Sequence, residues 1–301
     1  MPARLILNAD DFGLTPGINR AIAELHAAGA LTSATLMANG PAFDDAIALA
    51  HTQPTLGIGC HIVLTDGVPL SPPETIPTLL GPDRKNFRPS LSSFFLAALL
   101  GKIDEADIVR EAQAQIERIQ QQGIALTHLD THKHTHILPH IARPLLAVAE
   151  RTGIPAIRNP FEPRWSIALG KSPILRRLQL RSLRHLQPRF LALPQLQSGR
   201  VVTTSGTLGI SATGHLNPTT LGAILNAMPS GTWELVCHPG YNDRDLDAII
   251  TRLRTSREVE RSALLTAFSK TSHRPPHPPL PELINYTAAK RHTAADRQPY
   301  S

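Results

Sequence analysis

Seven short apolar runs that read as strands, separated by segments with helical spacing, leave this chain few folds to choose from. The first run, "RLILNA" at residues 4–9, leads into "TPGINRAIAELHAAG". There Thr15 is an N-cap, Pro16 suits the first helical position, Ile18, Ala21, Ile22 and Leu25 fall on one face, and Gly29 can end the helix in a left-handed conformation. The unit recurs. "LTSATLMANG" precedes a helix near 41–51, and "TLGIGCHIVL" ends in a histidine. A helix over 104–122 carries Ile108, Ala112, Ile116 and Ile119 on one side and stops at Gly123 before "IALTHLD". A helix over 139–152, "IPAIRN", a basic helical region, "RVVTTSG", a helix opening at Asn217-Pro218 and "TWELVCH" complete the series. Strands joined by helical crossovers pair in parallel, so the expected class is α/β, with about seven strands bent into a barrel or distorted barrel.

The expected organisation is a single domain over 1–269, interrupted by a Pro- and Gly-rich insertion at 66–103 and a basic, leucine-rich one at 161–199. Residues 270–301, with "HRPPHPPLP" and a polar end, read as a disordered tail. Residues 164–200 hold eight Lys or Arg and no acid, and 270–301 hold five against two. With the formal charge at +6, the rest of the chain is net negative, which argues against nucleic-acid binding by the whole surface. The two cysteines, Cys60 and Cys237, lie in apolar strand-like runs and read as buried free thiols of a reducing compartment. "MPARLILNADDFG" matches no signal or transit peptide, and no apolar stretch reaches the roughly 20 residues that span a bilayer. The expected location is cytoplasmic, peripheral to the inner membrane if the basic insertion lies on it. The insertion's "ILRRLQLRSLRHL" mixes Leu and Arg at helical spacing; a helix packed on the barrel with a solvated basic face is the commoner use of that pattern, and contact with an anionic membrane is the other.

Functional groups of parallel α/β folds collect where strands end. Asp10 and Asp11 end the first strand, His61 a later one, Asp130 and His132 the next, Arg158 another and His238 the last. A carboxylate with imidazoles suits a divalent cation, and three protein ligands leave a position open, as a catalytic metal needs. Asp11, His61 and His132 are the expected ligands of one Mg2+ or Zn2+. Side chains of neighbouring strand residues alternate in direction, so the chain must turn between Asp10 and Asp11, and Gly13 permits a turn. Asp10 is then the base and His238 the acid. Asp130, His134, His136 and Arg158 are candidates for supporting the site or meeting substrate.

Each signal has an ordinary rival. Asp-Asp after a strand is commonly a turn or cap device, "CHPG" an ordinary turn, and His128 a buried hydrogen-bonded side chain. His134, His136 and His140 could equally support the site from behind or stand exposed. The joint position at strand ends carries the reading.

"LILNADDFGLTPGIN", "GIGCHIVLTDG", "THLDTHKHTH" and "ELVCHPG", in order from residue 4 to about 242, resemble the signature blocks of the YdjC/ChbG-like carbohydrate deacetylases. The resemblance implies a deformed (β/α) barrel related to polysaccharide deacetylases, a divalent metal, and removal of acetyl from an N-acetylated amino sugar. Matched by position, Asp11, His61 and His132 take the metal, Asp10 is the base, and His238 is the histidine of the last block. "HKHTH", the Pro-rich stretch after "LTDGVPL" and the arginines after "EPRW" are similar to the hopanoid-biosynthesis-associated (HpnK-like) branch, which implies a lipid-linked N-acetylglucosamine substrate. Related barrels often form homodimers. The tail lies beyond the family's last block and takes no function from it. The competing expectations are a deacetylase of soluble chitooligosaccharides, a sugar- or metal-binding barrel without turnover, and a phosphoesterase that would add a second metal through Asp130 and His134.

Overall fold

In the computed structural model, which describes residues 3–269 and 280–293, the strand-helix alternation resolves into the following elements. They are β1 (Ala3–Phe12), α1 (Pro16–Ala27), β2 (Ser33–Leu36), α2 (Phe43–Thr52), β3 (Gly57–Ile62), α3 (Leu91–Leu99), α4 (Glu105–Gln120) and β4 (His128–Thr131). There follow α5 (Pro139–Arg151), the short helices α6 (Arg164–Leu169), α7 (Ile174–Leu183), α8 (Gln187–Leu191) and α9 (Pro194–Gln197), then β5 (Gly206–Leu208), α10 (Pro218–Ala227), β6 (Gly231–Cys237), α11 (Thr255–Phe268), β7 (Glu282–Leu283) and α12 (Tyr286–Thr293). The caps are those the sequence offers: the side chains of Thr15, Asp104 and Asn217 accept from Ile18, Ala106 and Thr220 backbone N–H groups, satisfying donors that a first turn leaves free. Gly29 and Gly123 adopt φ of 78° and 77° past α1 and α4. On α4 the four residues Ile108, Ala112, Ile116 and Ile119 are fully buried, as their spacing requires.

All strand pairs are parallel, in the order β4-β3-β2-β1-β6-β5, with β7 also on β1. The sheet curls into a half-barrel with helices around it. Two of the expected strands, 154–159 and 200–206, shrink to single parallel bridges, Leu129 to Ile157 and Ala156 to Val202. They span part of the gap between β4 and β5. Pro155 has no backbone N–H to donate to a ladder within the first of them, and Pro160 follows at its end.

Within the segment expected to be disordered, residues 280–293 are built into the fold. Residues 280–293 form β7 and α12, and the Ile284 N–H donates to the Leu5 carbonyl at 3.0 Å. Ile284, Tyr286 and Ala289 pack with Ile6, Ala156 and Val202 in a second, small core. Those apolar residues follow the Pro-rich run and provide the burial that a polar tail lacks. Residues 270–279 and 294–301 lie outside the described residues.

Candidate metal centre

Parallel pairing with residues two apart on one face brings Asn8 and Asp10, Thr35, His61, Asp130, Arg158 and Glu234 to the interior of the sheet. Register does the fine placement. His61 lies directly opposite Asp130 on β4, and its Nδ1 sits 2.7 Å from Asp130 Oδ1. Glu234 lies opposite Thr207, whose hydroxyl donates to the Asn159 carbonyl at 2.6 Å and stands 3.2 Å from Glu234 Oε2.

The chain turns between Asp10 and Asp11, as their adjacency requires. Asp11 itself takes the left-handed conformation, φ 68°, inside β1, where the register with β2 shifts between Ala9 and Phe12. This bulge swings Asp11 to the same mouth as Asp10, at a backbone cost of about 1–2 kcal/mol for a residue with a Cβ. Gly13, φ 92°, then completes the turn. A second strained place follows His132: Lys133 and His134 have φ of 57° and 54° within the 3-10 turn His132–Ile137. Left-handed residues at both places concentrate strain at the mouth.

Asp11 Oδ1 lies 3.8 Å from His61 Nε2 and 3.7 Å from His132 Nδ1, and the two ring nitrogens are 3.4 Å apart. A point equidistant from three such atoms is roughly 2.1 Å from each, matching Zn–N and Zn–O bonds of about 2.0–2.2 Å. The set could therefore hold one divalent ion with a further position open. Charge agrees with geometry: the buried carboxylates Asp10, Asp11, Asp130 and Glu234 pair with two guanidinium groups, Arg158 and Arg257. Burial presses the His61 imidazole down, but Asp130, Asp10 and Asp11 overcome it and raise it to about 9; the ring carries a proton where a cation would sit. Burial lowers His132 to about 4, leaving a neutral ring with a free lone pair. Burial raises the Asp11 carboxyl, and Arg257, ahead of the three histidines His238, His132 and His61, brings it far below the usual range.

Arg158 is fully buried and serves three carboxylates. Its Nη1 and Nη2 donate to Asp10 at 2.9 and 2.7 Å, its Nε and Nη2 to Glu234 at 2.9 and 2.7 Å, and it pairs with Asp130. With no exposed surface, its guanidinium is spent on these carboxylates. Asp10 Oδ1 also accepts from Asn8 and Thr35 at 3.1 and 3.2 Å. Burial pushes Asp10 up; Arg158 and His61 more than reverse this and hold it ionised, well below the usual carboxylate range. His238 Nε2 stands 3.9 Å from Asp10 Oδ2, while the His238 backbone N–H donates to Glu260 Oε2 at 2.6 Å.

The other histidines of the cluster divide. His136 is buried between the Thr131 hydroxyl, 2.7 Å, and the Arg158 carbonyl, 3.2 Å, and so fixes the backbone from which Arg158 projects. His128 is buried and stacked on Tyr286, and Gly59 makes room for it: a Cβ there would meet the ring at 2.4 Å. His134 Nδ1 is buried without a hydrogen-bond partner. Asp130 is engaged by His61 and Arg158, and with Asp10 and His61 it forms a second group whose possible ligand atoms lie within 4.8 Å of one another, a group that does not include His134. Arg257, which donates to Asp11 Oδ2 at 2.6 Å from α11, was not legible in the sequence, and neither was Tyr286. Glu234 left a signal, a lone charge inside the apolar run "TWELVC".

Residues 4–271 match the sequence model of the family described as YdjC-like protein. The chain belongs to the YdjC-like family. Among curated relatives of this YdjC-like chain, the carbohydrate deacetylase of Brevibacillus brevis is 41% identical over 158 residues, which cover 52% of this chain and 60% of that protein. The carbohydrate deacetylase of Thermoanaerobacter pseudethanolicus is 28% identical over 263 residues, covering 86% and 90%. Thus the alignment takes in less than two thirds of the first relative and most of the second. A crystal structure described as a cellobiose-phosphate cleavage protein from Enterococcus faecalis superposes with a TM-score of 0.72 at 24% identity, covering 96% of this chain and 99% of that one. That likeness establishes the fold.

Proposed function

We propose that this YdjC-like protein is a divalent-metal-dependent hydrolase that removes acetyl from an N-acetylglucosamine unit. The observation that carries the reading is the convergence of Asp11, His61 and His132 at 3.4–3.8 Å beside an Arg158-held Asp10, in a chain similar to proteins named carbohydrate deacetylase. Two imidazoles and one carboxylate favour a borderline ion such as Zn2+ over Mg2+, which prefers oxygen. When bound, such an ion polarises the amide carbonyl and lowers the pKa of water from about 15.7 toward roughly 7. Asp10, oriented by Arg158, Asn8 and Thr35, accepts the proton of the attacking water, and His238 at the end of the neighbouring strand protonates the leaving sugar amine. The products are acetate and a free amino sugar. The second group of possible ligands, Asp10, His61 and Asp130, shares His61 with the first and is already neutralised by the Arg158 cation, which weighs against a two-metal phosphoesterase.

The finer substrate reading is a lipid-linked sugar, an N-acetylglucosaminyl hopanoid. On α7, Ile174, Leu175 and Leu178 are 68%, 68% and 55% exposed, beside Arg177 and Arg181. Arg176 donates to the carbonyl of Ile210, just past the end of β5, so α7 overlies the same end of the sheet as the centre. The α3 helix packs against the His132–Ile137 turn and exposes Leu96 and Leu99. No helix among the described residues is long and apolar enough to cross a membrane. Aliphatic and cationic side chains around the mouth support a peripheral contact with a lipid surface. Purified protein with Zn2+ or Mg2+ is expected to release acetate from N-acetylglucosaminyl hopanoid faster than from chitooligosaccharides. The reverse preference refutes the lipid reading, and no release from any N-acetylated sugar by metal-loaded protein refutes the deacetylase.

A further inference from the structure

The segment 280–293 lies beyond the residues that match the family, yet it reaches the interior of the sheet. Tyr286, 1% exposed, stacks on His128 with ring centroids 3.9 Å apart and planes 13° from parallel. Its hydroxyl donates to Glu234 Oε2 at 2.5 Å. The other oxygen of Glu234 takes two bonds from Arg158, and Arg158 takes hold of both oxygens of Asp10. A continuous row, Tyr286–Glu234–Arg158–Asp10, therefore runs from the end of the barrel that β7 borders to the carboxylate at the opposite mouth.

We propose that Tyr286 is a positioning residue for Asp10, acting through Glu234 and Arg158; this rests on the reading of Asp10 as the base. The physical basis is competition. One guanidinium is shared by three buried carboxylates, and what Glu234 gets from elsewhere decides how much it demands of Arg158. The Tyr286 hydroxyl supplies Glu234 Oε2, so Arg158 can keep its fork on Asp10. Without the phenol, a buried carboxylate is left with one fewer donor and draws the guanidinium toward itself.

Tyr286→Phe keeps the ring against His128 and the small apolar core and removes only the hydroxyl. In the full chain, kcat for acetate release is expected to fall about tenfold, the scale of one hydrogen bond to a charged group, with KM within about twofold. In a Glu234→Gln background the same change is expected to add less than about twofold, because the row is already cut. The Arg158 Nε–H resonance, identified by its loss in Arg158→Lys, is expected to shift in Tyr286→Phe. A wild-type kcat, a tenfold loss of equal size in both backgrounds, or an unmoved Arg158 resonance overturns the proposal. A wild-type protein that releases no acetate sinks the deacetylase reading, while the resonance still decides whether the row is coupled. Should Glu234→Gln not fold, the kcat and the resonance of Tyr286→Phe decide alone.

Discussion

Asp130→Asn tests the metal centre from one residue behind it. His61 donates Nδ1–H to Asp130 at 2.7 Å, with side-chain exposures of 1% and 0%, and the other Asp130 oxygen pairs with Arg158. An amide can turn its oxygen to His61 or to Arg158, but its NH2 then opposes a donor on the remaining side. Burying that mismatch costs about 1–3 kcal/mol. Two consequences weaken binding of a cation at Asp11, His61 and His132, since the His61 ring is less firmly oriented and a nearby negative charge is lost; a less basic His61 also gives up its proton more readily, which offsets part of the loss at neutral pH. Losses at such supporting partners run to about 10–100-fold in metal affinity, or about 1.4–2.8 kcal/mol. The variant is expected to fold, since Arg158 keeps Asp10 and Glu234. Equilibrium competition with a chromophoric chelator measures the Zn2+ affinity, and the metal-induced rise in Tm should shrink in parallel. Affinity within about twofold of wild type would refute the assignment of His61 as a ligand oriented by Asp130.

Asp10→Asn is expected to lower kcat on the order of 10²–10⁴-fold and to leave metal affinity within a few-fold, by steady-state acetate release and the same competition assay; retention of kcat within tenfold removes Asp10 as base. His238→Ala should lower kcat on the order of 10²-fold or more while the metal still binds, and a substrate with an activated leaving amine should recover part of the loss, which only an acid role explains. Gly59→Ala would drive a Cβ to 2.4 Å from the His128 ring, which Tyr286 holds from its other face; a loss of about 1–3 kcal/mol is expected, seen as a lower Tm, and an unchanged Tm would show that the ring is free to move. Simultaneous Leu175→Ser and Leu178→Ser should reduce binding to anionic lipid vesicles in a sedimentation assay without changing acetate release from a soluble N-acetylated sugar; undiminished binding removes α7 from the lipid reading.

How far the site was legible follows from how the information is stored. Asp10, Asp11, His61, His132 and His238 could be picked out because strand ends are marked locally, by an apolar run that stops at polar groups. Glu234 was readable in principle, since a single acid within a buried strand needs a partner. Arg257 and Tyr286 were not, because each sits on an element far from the residue it serves, 246 and 52 positions away, with nothing nearby in the chain to mark it. That the chain turns between Asp10 and Asp11 was readable, but that Asp11 itself takes the left-handed conformation was not, since Gly13 two residues on is the residue that ordinarily adopts it.

By itself, then, the order of apolar runs, caps and glycines determined a parallel α/β sheet and the set of polar groups at its strand ends, because hydrophobic period and capping are properties of short stretches. Only the assembled barrel decided which oxygen of each carboxylate faces the centre, that one guanidinium divides itself among three acids, and that residues 280–293 are part of the fold. Those outcomes depend on register, desolvation and competition among charges brought together from across the chain, and none of these exists until the sheet has closed around them.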